Sequence, residues 1–275
     1  RIVPALPLSP SQDLPPEPAR TAVMPALRQA ATTVLQRLAR FYLSRVRPRS
    51  IAIAGLQGKT VMKRWLREMF SPSLRVRAGQ RSYNTELGLP LAILDVAIEP
   101  GVAGGLQAIV RAGLRGLFAT ERLDLLILEM GVRRPGDARA LLRAVIPDLL
   151  VLTPITPSYA NDLSFLADAE AEIAVLAREV AKGGGRIIAC ADDQRVMDAV
   201  RGITGVRTFG LDQVEQQGER FRLAIDGRTF DVGIDVIGES SLYALLAGIE
   251  VAASIGVPDA DVRKFLSGPA APGRV

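Results

Sequence analysis

The residues Gly55-Leu56-Gln57-Gly58-Lys59-Thr60 have the types and spacing to hold a phosphate group. The two glycines let the backbone approach an anion closely. Lys59 can reach the outer phosphates, and the Thr60 hydroxyl is a candidate Mg²⁺ ligand. The match is to the short form Gly-x-x-Gly-Lys-Thr; the longer phosphate loop would place its first glycine at Ile53. Lys59 is one of four lysines, with Lys63, Lys182 and Lys264, in a chain otherwise furnished with arginine. Where a cation need only be solvated this chain uses Arg, so a compact ammonium at position 59 reads as a choice. Two further polar sites follow apolar runs: Glu129, and Asp192-Asp193. A carboxylate that ends a strand beside a phosphate loop is a reasonable second Mg²⁺ ligand, which makes Glu129 the partner of Thr60.

These residues need a scaffold, and the apolar spacing supplies one. Ile51–Ala54 reads as a strand leading into the loop. Val61, Met62, Trp65, Leu66 and Met69 then fall on one face of a helix. Strand, glycine-rich turn and helix start is the arrangement that presents free N–H groups and the positive end of a helix dipole to an anion. Leu27 to Tyr42 recurs at helical spacing and stops before Pro48. Further strands are predicted at 73–78, 123–128, 148–153 and 186–190. Helices are predicted at 86–96, 106–118, 136–145, 163–182 and 194–200, with a flexible break at Gly101–Gly105. Strands alternating with helices predict an α/β fold, a mostly parallel sheet flanked by helices, with ligands beyond the carboxyl ends of the strands. From Val206 the pattern changes to a β-hairpin around Asp226-Gly227, then helices at 241–255 and 259–266. Residues 1–24 are Pro-rich and read as an extended linker. Residues 25–275 read as one domain with a small C-terminal β-hairpin and helix extension.

Composition narrows the chemistry. The 275 residues are 48% hydrophobic, enough to bury a core. A net charge of +5 suits anionic partners such as nucleotides. No basic run is interleaved with aromatics, so nucleic acid is not the expected partner. Arg45, Arg47 and Arg49 form the densest basic patch and read as a solvated helix end. The chain has no histidine, which removes His-based zinc sites and Ser-His-Asp or Cys-His catalysis. The lone Cys190 fits a reducing compartment such as the cytoplasm. No apolar run is long enough to span a membrane.

Taken together, the stretches AGLQGKTVMK, RSYNTELGLPLAIL, LEMGVRRPGD, PDLLVLTPITP, CADD, IGESSLYALLAGIEVAASIG and PGR resemble the central ATP-binding domain of the Mur ligases. The likeness is greatest to the branch that joins D-alanyl-D-alanine to UDP-N-acetylmuramoyl-tripeptide. It covers roughly Val34 to Arg274. It implies an ATP- and Mg²⁺-dependent amide ligase of peptidoglycan precursor synthesis. ATP phosphorylates a peptide carboxylate, and an amine then attacks the acyl phosphate. Carried over by position, Gly55, Gly58, Lys59 and Thr60 match the phosphate loop. Glu129 matches the metal-binding glutamate, and Asn84 and Thr85 the segment facing the muramyl peptide. Asp193 lies in the segment near the adenine and ribose. Lys59, Glu129 and Glu170 are the expected catalytic residues.

The departures are as informative. Tyr159 stands where the family has a metal-binding histidine, and Glu170 where it usually has a carbamylated lysine. Cys190 replaces an asparagine, Ser240-Ser241 a His-Asn pair, and Leu56 a threonine. A phenol is a poor Mg²⁺ ligand, and a thiol cannot make an amide's contacts to a base. The family's N-terminal and C-terminal domains are expected to be absent from this chain, so a partner domain or chain would complete the site. Two readings follow. One is an ATP-dependent ligase of Mur type, the other a catalytically degenerate nucleotide-binding or scaffold protein on the same fold.

Overall fold

The computed structural model describes residues 23–79, 83–99, 102–155, 163–217, 220–234, 236 and 238–268. Its centre is a parallel sheet in the order β2-β3-β1-β4-β5-β6. The strands are β1 (Arg49–Ala54), β2 (Val76–Ala78), β3 (Leu125–Met130), β4 (Leu149–Leu152), β5 (Arg186–Cys190) and β6 (Arg207–Phe209). The inner strands are mainly apolar because both faces are covered, with Arg49 and Ser50 of β1 and Glu129 of β3 as the polar exceptions. Alternation sorts their side chains into two cores. Ala52, Ala54, Leu126, Leu128 and Met130 join one core, with Leu35, Tyr42, Leu89 and Ile173. Ile51, Ile53, Leu125 and Ile127 join the other, with Met62, Trp65, Leu66 and Leu245.

The first core is covered by α1 (Val23–Val46), α3 (Gly88–Leu94), α4 (Val102–Phe118), α5 (Asp137–Leu142), α6 (Leu163–Lys182) and α7 (Gln194–Ala199). The second is covered by α2 (Lys59–Phe70), α8 (Glu239–Ile255) and α9 (Asp259–Ser267), with a small antiparallel sheet of β7 (Val214–Gln217), β8 (Arg220–Ile225) and β9 (Arg228–Val232).

The predicted elements are present, with corrections, the first being that the parallel sheet gains an unpredicted strand, β6, beside β5. The hairpin gains a third strand, β7, whose Glu-Gln-Gln run carries no apolar alternation to reveal it. Helix α4 runs through Gly104 and Gly105, where the glycines suggest a break. Gly104 has a packing reason: a Cβ there would lie 2.2 Å from the Glu99 carbonyl oxygen. Helix α3 is shorter than the predicted 86–96. Strand β3 continues through Glu129 to Met130, so Glu129 is a strand residue. The arginines read as a solvated patch are used as caps. Arg45 donates to the carbonyls of Gly116, Leu117 and Ala119 at the end of α4, and Arg49 to that of Ile255 at the end of α8. Most of the Pro-rich segment, Tyr159 and Pro272-Gly273-Arg274 lie outside the described residues.

Candidate functional site

The loop Gly55–Thr60 leaves the carboxyl end of β1 and enters α2, as its spacing predicts. Gly55 has φ +134°, and a Cβ there would sit 2.2 Å from Thr153 Oγ1, so the turn off β1 admits only glycine. Gly58, at φ +73°, is the left-handed residue from which α2 starts. Its carbonyl accepts the first helical bond, from Met62 N at 2.8 Å. The amides of Lys59, Thr60 and Val61 therefore have no partner one turn back in the helix. The Leu56 and Gln57 amides donate to the Pro154 carbonyl, which ties the loop to the end of β4. The start of α8 comes alongside: Ser240 Cβ is 3.7 Å from where a Gly58 Cβ would be.

Lys59 folds back over the loop and donates to the Gly55 carbonyl at 2.6 Å and the Leu56 carbonyl at 3.4 Å. Burial lowers its pKa below the ordinary lysine value. Glu129 opposes that shift and Arg133 adds to it. Arg133 also lies over the Phe165 ring, 5.6 Å from its centroid.

Glu129 reaches this cluster through two periodicities. Strand alternation puts 125, 127 and 129 on the face covered by α2. Helical spacing puts Lys59 and Lys63 one turn apart on α2. The Lys63 ammonium lies 2.7 Å from Glu129 Oε1, and the residues are 6% and 4% exposed. The Thr60 hydroxyl donates to Glu129 Oε2 over a long 3.5 Å. The expected metal ligands Thr60 and Glu129 do come together, but the carboxylate is already neutralised by Lys63. Among the described residues, no group of three His, Cys, Asp or Glu side chains converges as a metal site. A single carboxylate held by an internal ammonium does not fit a divalent ion kept by the protein itself. Lys63 is the residue missed in the sequence. Its signal was there: it is one of the four lysines, four positions after Lys59.

The other expected residues are built by other elements. Asp193 caps α7, accepting from Arg195 N at 3.0 Å through Oδ1. Its Oδ2 accepts from Ile155 N at 2.7 Å. The resemblance places it in the segment near the adenine and ribose, and in the structure it is buried and ties the loop after β4 to α7. Glu170, on α6, pairs with Arg195 Nε at 2.6 Å, with both side chains more than a third exposed. Glu172, which reads as a solvent-facing acid, is buried. It accepts from Gly136 N and Ala138 N at the start of α5. Burial pushes the Cys190 thiol up to about 12. Tyr243 packs edge-on against Phe209 and hydrogen-bonds Asp192, and burial raises its phenol as well.

Asn84 and Thr85 face a different opening. The Asn84 carbonyl accepts from Gly131 N at 2.8 Å, just past β3, and the Thr85 hydroxyl accepts from Gly88 N at the start of α3. Both line a groove of about 1280 Å³, with Arg28, Arg133, Arg134 and Arg143 also on its walls. Arg133 thus belongs both to this groove and to the electrostatic surroundings of Lys59.

Comparison with known proteins agrees with this fold. No protein-family model matches the chain. UDP-N-acetylmuramoyl-tripeptide–D-alanyl-D-alanine ligase of Bacillus subtilis is 27% identical over 245 residues, covering 86% of this chain and 48% of that protein. MurF of Acinetobacter baumannii superposes with a TM-score of 0.67 at 16% identity, over 90% of this chain and 51% of that one. The MurF ligase of Thermotoga maritima, solved in complex with ADP, gives 0.63 at 21% identity, over 88% and 53%. This chain therefore spans about half the length of the relatives it matches. It is similar to the Mur ligases in sequence, and it has the fold of the part of them that it covers.

Proposed function

We propose that this chain, a divergent relative of the Mur ligases, is the ATP-binding part of an ATP-dependent amide ligase of peptidoglycan precursor synthesis. The observation that carries the reading is the placement of the phosphate loop beside the arginine-lined groove, with Arg133 common to both. The nucleotide phosphates lie on the α2 amides and Lys59, between Gly55, Gly58 and Thr60. An anionic, muramyl-peptide-like substrate lies in the groove, against Asn84 and Thr85. Its carboxylate then points toward the γ-phosphate. Transfer forms an acyl phosphate and ADP; attack by the amine forms the amide and releases phosphate. Cations aimed at the transferring group are what this chemistry needs, together with alignment of the reacting atoms. Any Mg²⁺ would be carried by the nucleotide phosphates and would shield their charge, with the Thr60 hydroxyl as the side chain that could hold it. Residues 25–275 form the nucleotide-binding unit, and a further domain or chain brings the amine. A buried free thiol at Cys190 suits the reducing cytoplasm.

The test is phosphate release from Mg-ATP by the full-length protein, with and without UDP-N-acetylmuramoyl-tripeptide and D-alanyl-D-alanine, beside Lys59→Ala. Release that requires both substrates and is lost in the variant supports a ligase. A second reading, a nucleotide-binding protein without turnover, is favoured by one observation. Glu170, at the family's carbamylated lysine, is engaged by Arg195. Binding of ATP with no release in the presence of both substrates would establish it.

A further inference from the structure

We propose that Lys63 takes the place of a protein-held divalent cation, so that nucleotide binds this loop without needing Mg²⁺. The inference rests on the nucleotide reading above. It starts from the Lys63–Glu129 pair at 2.7 Å, buried beneath α2 with the Thr60 hydroxyl on its far oxygen. A carboxylate in this position would ordinarily attract a hard cation that also touches the phosphates. Here an ammonium already meets it. A divalent ion brought to Glu129 would face Lys63 at close range, where burial leaves little water to screen the repulsion.

Lys63 has little reason to withdraw. It shares α2 with Met62, Trp65, Leu66 and Met69, all packed into the core. An ammonium moved off Glu129 into those surroundings would have to shed its charge or disrupt the packing. The charges also suit an anion directly. Lys59 and Lys63 are both cations beside Glu129, and Arg133 adds its charge at Lys59. Cations gathered at the loop have the sign that a phosphate chain requires.

The experiment is equilibrium binding of a fluorescent ADP to the full chain, in excess MgCl₂ and again in EDTA. The expected result is a Kd that differs by less than about threefold between the two conditions. In Lys63→Gln, which frees Glu129, the same comparison should open to about tenfold or more in favour of Mg²⁺. Titration with Mn²⁺ alone, followed by its paramagnetic resonance signal, should show no bound ion in the parent chain. Because Lys63→Gln removes one partner of a buried pair, its fold is checked by circular dichroism; the two measurements on the parent chain do not depend on it. A parent Kd that weakens by about tenfold or more in EDTA, or stoichiometric Mn²⁺ binding, overturns the inference and leaves the nucleotide reading standing. Absence of ADP binding in both conditions overturns the two together.

Discussion

Two carboxylate neighbourhoods lie near the carboxyl ends of the parallel strands and behave differently. Beside β1 and β3, Glu129 sits among Lys63, Thr60 and Lys59, at the start of α2. Beyond β4 and β5, Asp193 spends its oxygens on the amides of Ile155 and Arg195, and Glu170 spends its charge on Arg195. Both regions carry acidic residues where the resemblance places site residues. Only the first keeps its polar groups turned toward one another and toward the loop. A residue's type states what it can bind; its nearest competing donor decides what it does bind.

That contrast can be broken most sharply at Lys59. Lys59→Ala should weaken ADP binding about a hundredfold, the loss of a charged hydrogen bond to phosphate, with little change in thermal midpoint. Calorimetric titration and a melt together read both; unchanged affinity would remove the loop from the site. Asp193→Ala should do the opposite. It should cost about 2–3 kcal/mol of stability by orphaning two backbone amides, while ADP affinity of the folded protein stays within about twofold. Urea unfolding beside the same titration checks it, and a large affinity loss at constant stability would restore Asp193 to the ligand.

A smaller effect is expected at Cys190, at the carboxyl end of β5. Its thiol is raised in the folded chain from about 9 to about 12. The folded state then holds a proton that the unfolded state releases, so unfolded chains bind fewer protons between these values. This contribution is complete below about pH 9 and is lost as pH rises toward 12, by at most about 1.4 kcal/mol per pH unit. Urea midpoints in Cys190→Ala should fall less steeply with pH than those of the parent chain. Smallest of all, Glu170→Gln should change stability by less than about 0.5 kcal/mol, since its pair with Arg195 is well solvated. A tenfold loss of ADP affinity there, on about the scale of a specific charged contact, would mean the second neighbourhood belongs to the site after all.

Much of the fold was legible because local rules and tertiary packing agree. Residues 163–182 and 186–190 fall where their apolar spacing and the Gly183-Gly184-Gly185 stop place them. β7 was not legible, because a polar edge strand is defined by its partner β8 and not by its own alternation. In the site, the loop and its lysine could be read because each glycine there answers a backbone demand. The fate of the acids could not. Glu172 looked solvent-facing, yet it caps α5, a helix that precedes it in the chain.

The sequence by itself determined the strand, the loop and the helix that form the proposed phosphate cradle, since these depend on neighbours along the chain. It also set the two periods that point Glu129 and Lys63 toward one another. Only the tertiary structure decided that these two meet. Pairing a strand residue with a helix residue depends on how β3 is seated under α2, and in a buried space the first opposite charge to arrive displaces every other candidate.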